Sequence, residues 1–166
     1  SIPTKMRMTV RELISLGTLS TSDLFSFRRR RNDEAVEKAM ELVGLAELAD
    51  MDIARLSGGQ RQRAVIGRAL ASDAELLIFD EPLVNVDRSS RNGILKLLDD
   101  LCHNENKTLL MVSHDLTAIR QSAHRVIYLD GQIQYDGKPN EIPDLSGLAG
   151  LVGLQHVHEH SHEEEE

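Results

Sequence analysis

Two adjacent carboxylates, Asp80 and Glu81, stand between the apolar run 76–79 and Pro82. A short apolar run that ends in polar residues is typical of a strand buried on both faces of a parallel sheet. Open α/β sheets bind ligands at the carboxyl ends of such strands. There Asp80 can hold Mg²⁺ through its water shell, and Glu81 can orient and polarise an attacking water. The simpler alternative is a strand that leaves the sheet through a polar turn, which does not require two consecutive acids.

A second candidate site is the segment Ser57-Gly58-Gly59-Gln60, which stands at the start of a predicted helix. Serine at the cap with glutamine three residues later has the form of a capping box. The two glycines let backbone amides approach an anion at the positive end of the helix dipole, so the segment predicts a phosphate site. A plain glycine-containing loop before a helix explains the same four residues, because motifs this short also arise by chance.

His114 follows the next predicted strand, again at the carboxyl edge of the sheet. A neutral imidazole at that edge can hydrogen-bond a phosphate oxygen. Taken alone, a single histidine after a strand is more often a structural residue whose hydrogen bonds are satisfied.

The elements that must position these residues alternate between helical and strand-like patterns. Helices are predicted over 9–16, from a cap at Asn32 to Gly44, over 56–72 and around 94–101, with a loop at 18–27. Strands are predicted at 76–80 and 109–112, and a β-hairpin joins 125–129 to 132–135. This order predicts an α/β fold with a largely parallel sheet and flanking helices, preceded by a helical subdomain and followed by the hairpin.

Length and composition fit one soluble domain. The chain has 166 residues and a hydrophobic fraction of 40%, and no apolar run approaches the roughly 18 residues that a membrane-spanning helix requires. The formal net charge of −8 argues against a general nucleic-acid binder. Cys102 is the single cysteine, and no secretory pattern opens the chain, so a reducing cytoplasm is the expected compartment.

Considered together, the segment 56–60, the strand end at 76–82, Asp87 and His114 resemble the ABC transporter ATPases in order and spacing. The resemblance covers roughly residues 8–140. It implies ATP and Mg²⁺ as cofactors and an ATP hydrolysis that is coupled to transport. The implied partners are a second nucleotide-binding subunit, in a homodimer, and transmembrane permease subunits. The implied location is cytoplasmic, peripheral on the inner face of the cell membrane.

The same resemblance implies a role for each matching residue. Ser57, Gly58, Gly59 and Gln60 look like the signature motif, which contacts the γ-phosphate of ATP bound on the partner subunit. Asp80 matches the Walker B magnesium aspartate, Glu81 the catalytic glutamate, Asp87 the D-loop that crosses the dimer interface, and His114 the switch histidine. Three parts are implied: a partial helical subdomain at 1–55, part of a RecA-like α/β core at 56–142, and a flexible tail at 143–166.

The chain departs from the family in ways that matter for activity. It contains no G-x-x-x-x-G-K-[ST], the Walker A phosphate cradle, and the glutamine loop expected ahead of the helical subdomain is not seen either. Because the first residue is Ser1 rather than Met, we expect the C-terminal part of a nucleotide-binding domain, either a fragment of a longer chain or a truncated relative. Such a chain is expected to be inactive in ATP hydrolysis alone. Gly67 also stands inside a predicted helix where alanine would be more favourable.

The end of the chain is rich in histidine and then glutamate. Imidazoles at every second position can converge on one transition metal, and the tail places His156, His158, His160 and His162 in that pattern. A solvated low-complexity tail is the simpler interpretation. Within the resemblance, a histidine-rich end together with Val86-Asp87 looks like the ATPase subunits of zinc and manganese importers.

Three other functions stay open at this point. One is an importer ATPase for another substrate such as an iron chelate. Another is a catalytically inert fragment that serves as an interaction or metal-sensing module. The third, a DNA-associated cassette ATPase, is disfavoured by the acidic charge and by the lack of coiled-coil heptads.

Overall fold

The computed structural model describes residues 7–19 and 27–142, and the side chains of 7–19 and 32–142. The chain divides into two compact units, one up to His114 and one from Asp115 onward. This division does not bear on the boundaries predicted near residues 55 and 142, which stay predictions. Within the described ranges, no helix is long and apolar enough to cross a membrane.

Three helices form the first part of the larger unit. They are α1 (Val10–Ser15), α2 (Phe27–Leu42) and α3 (Gly58–Leu70), and each packs on the other two. A complete capping box starts α1, since Thr9 accepts from the amide of Glu12 and the Glu12 carboxylate accepts from that of Thr9. Short 3₁₀ turns at Leu16–Thr18, Ala46–Leu48 and Ile53–Arg55 connect the helices. Their shared core is aliphatic and contains Val10, Ile14, Val36, Ala39, Met40, Val43, Ile66 and Leu70.

The second helix begins earlier than its sequence signals predict. Asn32 was the predicted cap, but α2 starts five residues earlier, at Phe27. The physical reason is that 28–31 are all arginine, a good helix former, so the helix extends through them and does not begin at Asn32. The predicted end is confirmed, because Gly44 has a φ of +68° and the Leu45 amide donates back to the Met40 carbonyl.

A parallel pair of strands forms the second part of the same unit. Strands β1 (Leu76–Asp80) and β2 (Thr108–Val112) run in register, with Asp80 paired to Val112. The helix α4 (Arg88–His103) connects them as a crossover, and buries a stripe of four residues, Ile94, Leu95, Leu98 and Leu101. These strands and their crossover confirm the predicted α/β class.

The prediction that β1 is buried on both faces is wrong for the described chain. Leu77 and Phe79 are buried, at 4% and 6% exposed, whereas Leu76 and Ile78 are 51% and 64% exposed. Successive side chains of a strand point to opposite faces. Only the face that carries Leu77 and Phe79 is therefore covered by the described residues.

The smaller unit contains one helix and the predicted hairpin. Helix α5 (Leu116–Ser122) precedes the antiparallel strands β3 (Val126–Asp130) and β4 (Gln132–Gly137), and a 3₁₀ turn follows at Pro139–Glu141. Gly131 forms the hairpin turn with a φ of +67°, which favours glycine. The guanidinium of Arg125 makes two 2.7 Å hydrogen bonds to Asp136, so a bidentate ion pair joins the two strands.

Candidate functional site

The carboxyl ends of β1 and β2 bring the predicted acids and the predicted histidine together. The strands are parallel and in register, and the amide of Glu81 donates to the carbonyl of Val112 at 2.9 Å. Glu81 is one residue beyond the end of β1, and His114 is two residues beyond the end of β2. The parallel register therefore puts the carboxylate and the imidazole at one edge of the sheet, as the sequence predicts.

Glu81 and His114 are in direct contact. His114 Nδ1 lies 2.7 Å from Glu81 Oε1, and the His114 backbone amide donates to the same oxygen at 3.0 Å. The other carboxylate oxygen, Oε2, accepts from the Ser113 hydroxyl at 3.4 Å. A carboxylate at Nδ1 favours the tautomer that carries its proton there and leaves Nε2 as the acceptor. The imidazole is 81% exposed, so Nε2 is available to a ligand.

The backbone at Glu81 is in a conformation that side chains rarely adopt. Its φ is +49°, in the left-handed region, although glutamate has no local hydrogen bond that favours this region as asparagine does. Such conformations cost of order 1–3 kcal/mol and occur at functional sites where the surrounding structure holds them. At Glu81 these contacts include the hydrogen bond from its amide to the Val112 carbonyl of β2, and the contacts of its carboxylate with the amide and the imidazole of His114.

Asp80 is the last residue of β1 and its side chain is exposed. Mg²⁺ in nucleotide sites is held by one or two carboxylates together with waters and substrate phosphates. An accessible carboxylate beside Glu81 fits that donor set. Asp80 therefore is the residue at this edge that can hold the metal, and Mg²⁺ there would neutralise negative charge on a phosphate.

The segment Ser57–Gln60 has the predicted capping box. Ser57 Oγ accepts from the amide of Gln60 at 3.2 Å, and Gln60 Oε1 accepts from the amide of Ser57 at 3.0 Å. The amides of Gly58 and Gly59 are the first two of the 13-residue helix α3. Amides at a helix start have no carbonyl of the same helix to which they can donate. The combination of unpaired helix-start amides and the positive end of the dipole suits an anionic ligand.

Asp87 has a structural role that the sequence analysis did not assign. Its Oδ1 accepts from the amides of Ser89 and Ser90 at 3.0 and 2.9 Å, and from the Ser89 hydroxyl at 2.5 Å, so it is the N-cap of α4. The hydroxyls of Ser89 and Ser90 together with these amides hold the pKa of Asp87 well below its ordinary value. The signal was present in the sequence, since Asp ahead of a helical stripe is a standard N-cap.

The candidate residues fall into two clusters. Glu81, His114 and Asp80 form one at the sheet edge, and residues 57–60 form the other at the start of α3, next to the segment 85–90. Ser113 and Ser90 also belong to these clusters and were not singled out by sequence. The tail histidines 156–162 lie outside the described residues.

Comparisons with known proteins point to one family. A family model described as "ABC transporter" matches residues 3–84. The chain is 38% identical over 149 residues to the ferric enterobactin transport ATP-binding protein FepC of Escherichia coli K12, which covers 89% of this chain and 55% of that protein. It is also 38% identical over 133 residues to the zinc uptake system ATP-binding protein ZurA of Listeria innocua, over 80% of this chain and 52% of that protein.

Solved structures give the same result for the fold. A putative metal-chelate type ABC transporter in an inward-facing conformation aligns with a TM-score of 0.76 at 24% identity, over 91% of this chain and 61% of that one. A dimeric bacterial ABC transporter cassette aligns with a TM-score of 0.61 at 29% identity, over 80% of this chain and 57% of that one. The chain thus spans about half the length of the curated relatives it matches.

Proposed function

Because this chain belongs to the family of ABC transporter ATP-binding proteins, we propose that it forms part of a subunit that hydrolyses ATP to drive import across a membrane. The observation that carries the proposal is the pair made by Glu81 and His114, with 2.7 Å between carboxylate and imidazole at the carboxyl ends of two parallel strands. An acid, a histidine and a second carboxylate at this edge are groups that can orient a water, contact a phosphate oxygen and hold Mg²⁺ in phosphoryl transfer to water.

The pair divides the chemistry between two side chains. Glu81 orients an attacking water by accepting a hydrogen bond from it. The Oε1 atom of Glu81 is held by the amide and the imidazole of His114. His114 then has Nε2 available for a phosphate oxygen of the nucleotide. Asp80 would hold Mg²⁺, and the ion would supply neutralisation of the phosphate charge.

Residues 57–60 act on a nucleotide held by a second copy of the subunit. The capping box fixes the start of α3, so its amides present a preorganised anion site. Two copies would then each complete the site of the other in a homodimer, and Asp87 and its segment would lie near that interface. Transmembrane permease subunits are the remaining partners, and they would hold the dimer on the inner face of the membrane.

The substrate that we propose is a transition metal, free or chelated. One relative is named for zinc uptake and another for ferric enterobactin transport, at the same identity of 38%. The histidine-rich tail favours zinc over an iron chelate, since imidazole is a good ligand for this ion. Manganese rests only on the resemblance to zinc and manganese importers.

A chimera tests the catalytic assignment. A segment containing G-x-x-x-x-G-K-[ST] from a relative is joined ahead of this chain, and ATP turnover is measured with and without Glu81→Gln. We expect the substitution to lower turnover by about 10²-fold or more while nucleotide binding is retained, because Glu81 acts on the water. The control is Glu75→Gln, an exposed acid at the other end of β1. Equal turnover in the Glu81 variant and its parent would contradict the proposal.

The second candidate function is a catalytically inert interaction or metal-sensing module. It is favoured by one specific observation, the lack of a G-x-x-x-x-G-K-[ST] motif in these 166 residues. The purified chain itself is expected to hydrolyse ATP no faster than background, because nothing in it cradles the β- and γ-phosphates. The two candidates separate in the chimera, which turns over ATP only if the groups at 80, 81 and 114 are competent.

A further inference from the structure

The two signature glycines pack directly against the segment that follows β1. A Cβ atom built on Gly58 would lie 2.8 Å from the carbonyl oxygen of Asn85. One built on Gly59 would lie 2.5 Å from Cβ and 2.6 Å from Oγ of Ser90. Real Cβ atoms essentially never come within 3.0 Å of another heavy atom. Both positions therefore exclude a side chain for a reason that lies inside this chain and needs no nucleotide.

The opposing segment is held in place by its own hydrogen bonds and backbone conformation. Asn85 has a φ of +60°, a left-handed conformation that asparagine tolerates, and its carbonyl is the atom that Gly58 meets. Ser90 belongs to the first turn of α4, where its amide donates to the Asp87 cap at 2.9 Å. A capped helix start cannot retreat by the several tenths of an ångström that a side chain at 59 would demand.

We propose that Ser90 and the Asn85 carbonyl are positioning elements for the signature segment. They hold Gly58 and Gly59, and with them the amides at the start of α3, in a fixed place relative to the segment between β1 and α4. The contact with Ser90 therefore limits the size of the side chain that residue 59 can carry. The role of those amides in binding a phosphate rests on the proposed function, whereas the contact itself is a property of the folded chain.

The arrangement predicts a specific compensation between residues 59 and 90. With glycine at 90 the nearest remaining atom of that residue is Cα, which lies 3.8 Å from a Cβ on residue 59, an ordinary van der Waals distance. Alanine at 90 keeps the Cβ that would lie 2.5 Å away. Gly59→Ala should thus be tolerated beside Ser90→Gly and not beside Ser90→Ala.

Thermal unfolding of the purified 166-residue chain without nucleotide tests this compensation. We expect Gly59→Ala to lower the midpoint by about 5 °C or more in the parent and in the Ser90→Ala background, and by less than half of that in the Ser90→Gly background. If Gly59→Ala does not fold, recovery of the folded state by Ser90→Gly and not by Ser90→Ala is the same result. An equal cost of Gly59→Ala in all three backgrounds overturns the proposal.

Amide NMR of the same chain gives a readout that general destabilisation does not move. Ser90→Leu should shift the resonances of Gly58 and Gln60, because the larger side chain displaces the signature segment. Arg88→Leu is the matched control, since Arg88 is the exposed residue that opens the same helical turn. Unchanged resonances in Ser90→Leu would overturn the proposal. Neither measurement uses ATP, so failure of the catalytic assignment in the chimera would leave this result standing.

Discussion

The Asp87 carboxylate caps the helix α4, and its segment is also the one that we propose lies near the dimer interface. It caps α4 through the amides of Ser89 and Ser90, and these donors lower its pKa well below the ordinary value. The charge is favourable at this position because the N-terminus of a helix is the positive end of its dipole. An interface role for Asp87 would therefore compete with the hydrogen bonds that its carboxylate accepts from Ser89 and Ser90.

The lowered pKa of Asp87 predicts how stability depends on pH. The folded-state pKa lies below the unfolded value of about 3.9, so the stabilising contribution is present above that value and is lost as the pH falls below it. Asp87→Asn should lower the thermal midpoint at neutral pH, and the difference from the parent should shrink as the pH falls from about 4 toward 2.

Midpoints measured across that pH range check the prediction. The control is Asp100→Asn, in the last turn of the same helix, where a negative charge is unfavourable and its removal should not lower the midpoint. A constant difference between Asp87→Asn and the parent at all pH values would show that the charge of Asp87 does not stabilise the helix.

The two sites were predictable from sequence to different extents. Glu81 and His114 both follow apolar runs, so their meeting at one sheet edge follows from the parallel order of the strands. The 2.7 Å contact depends on the in-register pairing of Asp80 with Val112, which the runs alone do not fix. The packing of Gly59 on Ser90 joins residues 31 positions apart through a loop, and no local pattern encodes it.

At the scale of elements, Gly67 explains how three helices approach each other. It is buried in the last turn of α3, and a Cβ on it would lie 3.0 Å from Cδ1 of Ile14 in α1 and 3.3 Å from Cγ2 of Val43 after α2. The sequence marks this glycine only as a weak helix former. The structure shows what offsets this low helix propensity, which is the close approach of α1 and α2 to the backbone of α3.

These opposing terms predict a coupling between residues 67 and 14. Gly67→Ala in the parent should change the free energy of unfolding by less than about 0.5 kcal/mol, since the gain in helix propensity is offset by crowding. In an Ile14→Val background, which lacks Cδ1, the same substitution should raise the free energy of unfolding by about 0.5–1 kcal/mol. Urea unfolding of the four variants measures the difference. Identical effects of Gly67→Ala in both backgrounds would exclude the contact with Ile14 as the cause.

The helices and strands were predicted more accurately than their end residues and their burial. The apolar runs at 76–79 and 109–112 became β1 and β2, the Ser57 box became the start of α3, and the link between 125–129 and 132–135 became the hairpin turn at Gly131. The start of α2 was missed because four consecutive arginines, which are good helix formers, extend the helix ahead of Asn32. Burial of both faces of β1 was wrongly predicted, because a run of apolar residues indicates a strand and not which elements cover it.

At the scale of the whole molecule, one face of the parallel strand pair carries apolar side chains that the described residues leave uncovered. Leu76 and Ile78 of β1 and Leu110 and Val112 of β2 are each more than half exposed, and the parallel register puts them on one face. Contiguous exposed aliphatic side chains favour association with other apolar surfaces.

The uncovered face predicts self-association of the 166-residue chain. Ile78→Thr with Leu110→Thr should lower both the binding of a hydrophobic dye and the fraction of oligomers, because threonine keeps strand propensity and removes apolar surface. Sedimentation velocity and dye fluorescence are the measurements. Leu77→Thr, on the covered face, is the control and should lower stability instead. No change in dye binding for the double variant would show that this face does not drive association.

The histidine-rich end of the chain carries the last prediction. His156, His158, His160 and His162 lie outside the described residues, so the prediction rests on their spacing alone. We expect this tail to bind Zn²⁺, and the affinity to fall as the pH drops through the ordinary histidine pKa of about 6.5, because each imidazole must be neutral to donate its lone pair. The four glutamates that follow are the competing ligands.

Titration calorimetry with Zn²⁺ at about pH 7.5 and about pH 5.5 tests the tail, since these values lie on either side of the histidine pKa. Replacing the four tail histidines by glutamine should abolish the binding seen at the higher pH, whereas replacing Glu163–Glu166 by glutamine should leave most of it. Neither change should alter the thermal midpoint measured without metal. Equal Zn²⁺ uptake by the histidine-to-glutamine variant and its parent would remove the tail as a metal site, and with it the main reason to favour zinc over an iron chelate as the imported substrate.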